Sequence, residues 1–496
     1  MSCLIAAPSS GSGKTLVSLA LAALARQRGA IVQTFKVGPD YLDPQLLGEV
    51  SGTVCRNLDP LLCGSDWVRR TFHWHAREAD CVLVEGVMGL FDGRGPTAEG
   101  SSAQVAELLD LPVVLVVEAS RQAGSVAALV RGFRDHGPPR VRLAGVVLNR
   151  VGSERHRALL EEALAAIDIS VLGTLPPHQA LALPSRHLGL LPPREVADLR
   201  SRVREWIHLA ETHLALDRLW PLLAPAPARW DPQDPIAAAI ASAPSDRVVS
   251  MGVQGPVARS ARGPVVIAQD AAFHFLYPEI SELLTALGLR VEPWSPLADE
   301  PLPDPCGAVL LPGGYPELHG AALAAAQRSR ASLAEAHRRG VPVIAECGGL
   351  LYLGRGLVDA SGACWPMAGV LPFEARPGPL SLGYRHAHAQ RDGLVVRAGE
   401  RYTGHEFHRW QLHPCDTEPE GPALWQLEGW GVERSLEGWT TPTLHASWLH
   451  LHWGGSPKIP LRLAAAIAGA GTPPRSGDFS PPKNPPARRP STSGGA

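Results

Sequence analysis

No stretch of eighteen or more uninterrupted apolar residues occurs in this chain, which excludes a membrane-spanning helix. Charge of neither sign is in excess: 46 Lys and Arg stand against 48 Asp and Glu, a formal net charge of −2. Nucleic acid and anionic membrane surfaces therefore have no electrostatic claim as partners. Cysteine is sparse, with eight residues at 3, 55, 63, 81, 306, 347, 364 and 415. None forms a C-x-x-C pair, so neither a zinc knuckle nor a disulfide framework is indicated, and a reducing, cytoplasmic setting is expected. Internal repeats are absent. The chain opens directly on a strand, so no signal peptide is expected. What is present is 496 residues with 45% hydrophobic and 19% charged content, enough for two or three globular domains.

Over residues 1–221, short apolar runs at 3–7, 31–37, 81–84, 113–117 and 143–148 alternate with helical patterns such as 15–28. Alternation of this kind predicts an α/β domain, a doubly wound parallel sheet covered on both faces. Functional loops then follow the C-terminal ends of the strands. Pro, Ala, Ser and Arg dominate 222–263, predicting a partly disordered linker. A second α/β domain is expected over 264–471, with strands near 265–268, 289–292, 307–311 and 341–345 and a helical stretch at 321–339. Dense Gly, Trp and His beyond it suggest shorter strands and loops. Residues 472–496 are rich in Pro, Ser, Arg and Gly, predicting a disordered tail.

The first apolar run leads into Ala7-Pro-Ser-Ser-Gly11-Ser-Gly13-Lys14-Thr15. Glycines there let backbone N–H groups close around phosphate oxygens, Lys14 offsets their charge, and the Thr15 hydroxyl can ligate magnesium. The following helix adds its positive dipole end. Position 8 is Pro and position 7 Ala, so the strict form of the phosphate-loop pattern fails at its start. Three acidic clusters follow later strands: Phe35-Lys-Val-Gly-Pro-Asp40-Tyr-Leu-Asp43-Pro, Asn57-Leu-Asp59-Pro, and Glu85-Gly-Val-Met-Gly-Leu-Phe-Asp92-Gly. Glu85 closes a buried run, the usual place for a carboxylate that holds Mg²⁺ beside phosphates, and Asp40 ends a strand facing the same crevice.

In the second half, Val341-Pro-Val-Ile344 leads into Ala345-Glu-Cys347-Gly-Gly and an apolar helical run. That is a nucleophile elbow, in which the helix N-terminus lowers the thiol pKa. The Gly-rich segment Leu311-Pro-Gly313-Gly314-Tyr315 supplies N–H groups for an oxyanion. A phosphate loop and a covalent thiol on one chain point to ATP-driven amide formation with nitrogen taken from glutamine. Paired histidines at 73/75, 386/388 and 405/408 invite a metal reading, but two ligands do not complete a site.

The segments FKVGPDYLDP, NLDP, EGVMGLFDG and PSRHLGL resemble the a,c-diamide synthases of cobyrinic acid, relatives of dethiobiotin synthetase. The resemblance covers nearly the whole chain outside linker and tail. It implies a P-loop NTPase-like domain followed by a class I glutamine amidotransferase-like domain. It implies ATP and Mg²⁺ as cofactors, with Thr15, Asp40 and Glu85 as the magnesium and phosphate set. Asp43 and Asp92 are implied near the carboxylate being activated, Asn149 on the adenine side, and Ser185, Arg186 and His187 near nucleotide or corrinoid. Ala446-Ser-Trp-Leu-His450-Leu-His452-Trp resembles the closing segment of the amidotransferase group, with His450 as the base for Cys347. His452 stands where triad-type relatives have Glu, so a Cys–His dyad is the expectation. L-glutamine and a corrinoid are the implied substrates, with hydrogenobyrinate or nickel-sirohydrochlorin as alternatives to cobyrinate. Cobyric acid synthase is disfavoured by the wording of the two long acidic segments. A homodimer is compatible with the sequence. The rival from another class is a P-loop partner-binding switch, which needs neither Cys347 nor His450.

Overall fold

The computed structural model describes residues 2–178, 185–186, 189–190, 192–225, 232–243, 263–415 and 423–469. Its first domain is built on seven strands: β1 (Cys3–Ala6), β2 (Val32–Val37), β3 (Arg56–Leu58), β4 (Cys81–Glu85), β5 (Pro112–Glu118), β6 (Arg142–Asn149) and β7 (Val171–Thr174). All pair in parallel, in the order β3-β2-β4-β1-β5-β6-β7. The central strands are continuous Val/Leu/Ile runs because helices cover both faces. Helix α1 (Lys14–Gln27) is Leu- and Ala-rich with no Gly or Pro, and buries nearly its whole length against the sheet with Trp206 and Ile207 behind it. The edge strands β3 (RNL) and β7 (VLGT) mix polar residues and Gly with few apolar ones, so they do not stand out as apolar runs in the sequence.

The second domain repeats the theme. Five parallel strands, Val291–Trp294, Val265–Ala268, Ala308–Leu311, Val343–Glu346 and Leu444–Ser447, are closed by antiparallel Trp439–Thr441. Beyond residue 345 the structure departs from the expected short strands and loops. Phe373–Ala389 and Arg401–Pro414 are strands of 17 and 14 residues, paired as one long antiparallel hairpin within a further sheet. Gly and Pro there do not end the strand: they fall at a register shift between Pro377 and Ser381, where the ladder bulges and then resumes.

Within 222–263, helix Pro235–Ser242 is capped by Asp234 and buries Ile236 and Ala239. The rest of 226–231 and 244–262, and the tail 472–496, lie outside the described residues. Ile236 and Ala239 join a core that crosses between the domains. Tyr41, Leu42, Leu62 and Trp67 of the first domain pack in one cluster with Ile267, Leu310, Ile344 and Trp453 of the second.

A buried ion pair fastens the same junction. Arg56, at the start of β3, contacts Glu279 at 3.2 Å and Glu282 at 2.6 Å on helix Pro278–Ala286. Burial would raise the Glu279 pKa, but His452 and Arg56 hold it down at about 2. Removing one partner of such a pair strands a buried charge, at a cost of about 3 kcal/mol. Arg56→Met is therefore expected to lower the thermal unfolding midpoint by several degrees, measured by circular dichroism.

Candidate active site

The phosphate loop leaves β1 at Ala6 and reaches α1 through Gly11 (φ 80°) and Gly13 (φ 107°), left-handed positions that favour glycine. Asn149, closing β6, donates its Nδ2–H to the Ser12 carbonyl at 2.9 Å. A Cβ on Gly13 would lie 2.4 Å from that nitrogen, so the loop needs glycine to seat against β6. The Asn149 Oδ1 is buried with no partner among the described residues. Lys14 opens α1, and burial followed by the nearby Lys36 lowers its pKa.

Lys36, on β2, organises the acidic residues. Its Nζ contacts Asp43 at 2.6 Å, Glu85 at 2.8 Å and Asp40 at 3.6 Å. Thr15 Oγ1–H donates to the same Glu85 oxygen at 2.7 Å, while Glu85 Oε2 is buried without a partner. Burial opposes charge on Lys36, yet Asp43 and Glu85 reverse it and hold its pKa well above the usual amine range. Asp43 is likewise held down: burial acts upward, but Lys36 and the hydrogen bonds with Lys36, Asp40 and Glu85 together outweigh it. Asp40 is pushed up by burial and then by Asp43. Asp40 Oδ1 accepts from the N–H groups of Leu42 and Asp43 at the start of α2 (Leu42–Ser51). Asp92 Oδ2 accepts from Gly89 N at 2.7 Å, in a turn held on the phosphate loop by Leu90 N–H to Ala7 O at 2.8 Å. Ser185 and Arg186 form one strand of a two-residue ribbon with Gly189 and Leu190, their side chains undescribed, and His187 lies outside the described residues.

Cys347 follows strand Val343–Glu346 with φ 48° and ψ −105°, a strained backbone that leads at once into helix Gly348–Leu353. His450 is fully buried, held by a reciprocal backbone pair with His405 at 3.0 and 2.9 Å. A Cβ on Gly313 would sit 2.5 Å from His450 Cε1, and one on Gly348 would sit 2.8 Å from Gly314 N. Both glycines of the 311–315 segment thus border the elbow. The Sγ of Cys347 lies 3.6 Å from the Phe407 carbonyl on the long hairpin.

A carboxylate does stand beside the imidazole: Glu346 Oε2 is 3.6 Å from His450 Nδ1. Burial works against protonating His450, but Cys347 and then Glu346 outweigh it and raise its pKa to about 10. Glu346 directly precedes Cys347 in the sequence, which was the available signal. His452 is engaged elsewhere, with Nε2 3.6 Å from Glu279 and Nδ1 accepting from Gly454 N.

Tyr41 joins the two halves. Its ring lies 5.2 Å from His450, 5.2 Å from Phe275 and 4.6 Å from Tyr277, while its neighbours Asp40 and Asp43 face Lys36. It lines an interdomain cavity of about 590 Å³ together with Ser10, Asp40, Asp43, Arg94 and Phe407. It also bounds a small cavity of about 10 Å³ beside Glu346 and Phe275.

Lys36→Met would leave Asp43 and Glu85 buried without their cation, costing about 3 kcal/mol at neutral pH. Without Lys36 the folded-state pKa of Asp43 rises above the unfolded value, and that of Glu85, already raised by burial, rises further. The penalty is then greatest at high pH and fades as pH falls and they take up protons. The gap in thermal unfolding between variant and parent should narrow as pH is lowered from about 7.5 to about 5.

Residues 3–191 match the family model of the CobQ/CobB/MinD/ParA nucleotide binding domain, and residues 264–458 that of the CobB/CobQ-like glutamine amidotransferase domain. The chain is 43% identical over 487 residues to a cobyrinate a,c-diamide synthase of Gloeobacter violaceus, covering 96% of this chain and 100% of that one. It is 40% identical to a cobyrinate a,c-diamide synthase of Synechococcus sp., covering 92% and 96%. It is 43% identical over 482 residues to a hydrogenobyrinate a,c-diamide synthase of Streptomyces coelicolor, again covering 92% and 96%. With a nucleotide-binding domain, a glutamine amidotransferase domain and near full-length identity of 40% and above, the chain belongs to the cobyrinate and hydrogenobyrinate a,c-diamide synthase family.

Proposed function

We propose that this chain is a glutamine-hydrolysing carbon–nitrogen ligase that converts the a and c carboxylates of cobyrinic acid to amides at the expense of ATP. The carrying observation is that Tyr41 forms a wall common to the phosphate-site carboxylates and to the Cys347–His450 pocket. Two reactions that exchange ammonia need such adjacency.

In the first domain, an oxygen of the corrinoid carboxylate attacks the terminal phosphorus of ATP. The bond to the bridging oxygen breaks, ADP leaves, and an acyl phosphate remains. Lys14 and the loop N–H groups of Gly11 and Gly13 offset charge on the phosphoryl oxygens. Thr15, Glu85 and Asp40 offer hard oxygen donors, and the orphaned Glu85 Oε2 suits a cation, so these residues fit Mg²⁺, which would add charge neutralisation there. Asp43 and Asp92 border the space for the reacting carboxylate, and Asn149 holds the loop on the nucleotide side. The ribbon bearing Ser185 and Arg186, with His187, is assigned to the nucleotide or corrinoid border by family resemblance.

In the second domain, Cys347 Sγ attacks the side-chain amide carbon of glutamine. The N–H groups at Gly313 and Gly314 receive the oxyanion, and His450 passes a proton to the departing nitrogen. Ammonia leaves, and water hydrolyses the thioester to glutamate. Glu346 holds the imidazole charge, so the dyad has an acidic supporter. The cavity beside Tyr41 is the size of one water-like molecule, and apart from Glu346 its walls are aromatic and aliphatic, which suits ammonia on its way to the acyl phosphate. Its attack on the acyl carbon expels phosphate. Hydrogenobyrinate is the second reading, favoured by the Streptomyces coelicolor relative at the same identity as the Gloeobacter violaceus one.

Mass spectrometry of each acid incubated with ATP, Mg²⁺ and glutamine tests the reading. A gain of two amides on one acid is expected, and no amide on either acid overturns it. Cys347→Ser is expected to abolish glutamine-dependent amidation while leaving ammonia-dependent amidation in place. A variant with full glutamine-dependent activity would remove the thiol from the mechanism. Glu346→Gln deletes an anion that raises the His450 pKa. The imidazolium is then lost at lower pH, and the alkaline limb of glutamate release against pH should move downward by about one unit.

A further inference from the structure

Trp430 is 68% exposed, an unusual state for so large an apolar ring. It occupies the turn of a tight hairpin, between Gly429 and Val432, which pair across it, with Gly431 at φ 65°. The tip reaches the other domain: a Cβ on Gly95 would lie 2.6 Å from the Trp430 ring, so the indole rests on bare backbone. Beside it, on the long hairpin, Leu382 is 51% exposed, and Met88 comes from the loop after β4. All three line the 590 Å³ interdomain cavity, whose lining also holds Ser10, Asp40, Asp43 and Arg94. The cavity therefore joins an apolar group to residues of the phosphate site.

We propose that Trp430 is the substrate-stacking residue of this enzyme, laying its indole on the face of the corrin ring while one peripheral carboxylate reaches the Asp40–Asp43 end. This rests on the reading of the cavity as a corrinoid site. A tetrapyrrole presents a broad, nearly flat face ringed by carboxylates, and a rigid aromatic plane at the rim matches that face with little loss of side-chain entropy. The two amidations add a constraint. One phosphate loop serves two carboxylates, so the ring must turn between turnovers and every contact with its periphery changes partner. A contact with the ring face does not read the periphery. Trp430 therefore supports the diacid and its monoamide equally, whereas a residue that pairs with one carboxylate favours one of the two steps.

Steady-state kinetics of Trp430→Ala should show the corrinoid KM raised at least ten-fold for diacid and monoamide alike, with kcat and the KM values for ATP and glutamine within two-fold of the parent. Trp430→Phe should recover most of the loss. A corrinoid KM unchanged in Trp430→Ala, or raised for only one of the two acids, overturns the proposal. So does an equal rise in the KM for ATP, which would mark the tip as a domain brace. If Trp430→Ala does not fold, Trp430→Leu keeps apolar bulk without a ring, and a parental corrinoid KM there is equally fatal. A parent enzyme that amidates neither corrinoid acid defeats the functional reading itself and this inference with it. A parent that amidates normally beside an unaffected variant defeats the stacking role alone.

Discussion

The turn from Asp40 to Asp43 sends its carboxylates back to Lys36 and its single ring, Tyr41, forward into the core of the second domain. Four residues of chain thus belong to two chemistries. The turn cannot shift toward a bound nucleotide without moving Tyr41 against His450, Phe275 and Tyr277. Gln45, one helical turn along, extends the link by donating to the His274 carbonyl at 2.9 Å. Phe275 in turn donates its backbone N–H to Gly313 O, within the segment that borders Cys347. A continuous path of packed rings and backbone hydrogen bonds therefore runs from the phosphate-site carboxylates to the oxyanion segment. Packed interiors respond to such shifts by switching between discrete arrangements and not by bending smoothly.

Both pockets solve the same electrostatic problem in opposite senses. In the first, a buried cation is surrounded by carboxylates; in the second, a buried imidazole is flanked by a thiol and a carboxylate. Each arrangement is costly to desolvate and stable only when complete. Lys36 helps hold the Asp43 pKa down against burial, while at Glu85, where burial prevails and the pKa is raised, it offsets part of that push. Glu346 does the corresponding service for His450. Neither helper touches the reacting atoms in the proposed chemistry, yet each fixes the protonation state on which that chemistry relies.

Much of this was legible in the sequence where the signal is local. Buried parallel strands appear as unbroken Val, Leu and Ile runs, and the phosphate loop and elbow announce themselves through glycines placed between a strand and a helix. The acidic residues 40, 43 and 85 were legible as strand-end carboxylates, and the structure brings all three around one amine. What was hidden depends on tertiary contact. Lys36 sits within an ordinary strand, and although Asp40 and Asp43 follow it closely in sequence, only the fold shows that they and the distant Glu85 converge on its amine. Glu346 was in view, but its partner lies about a hundred residues away, so its role could not be read from spacing. The long hairpin was obscured because its Gly, Pro and His content imitates a loop. Only the pairing of the two successive strands restores it, with the bulge absorbing the residues that break the pattern.

The way the halves are joined also bears on how the enzyme holds together. If a flexible tether alone kept the two domains near each other, their association would depend on effective concentration and fall as the tether lengthened. Here the domains share one apolar cluster, a buried Arg56–Glu279 pair and the Tyr384–Asp59 hydrogen bond at 2.9 Å, and the helix Pro235–Ser242 is itself part of that cluster. Asp59 shows how closely local and global structure are tied. One of its oxygens caps the helix that starts at Pro60, and the other accepts from Tyr384 on the long hairpin of the other domain. The covalent connection is then secondary to the packing. A nick within 244–262 would leave every one of these contacts in place, whereas loss of the packed ring of Tyr41 opens the wall between the two pockets in a chain that is still intact.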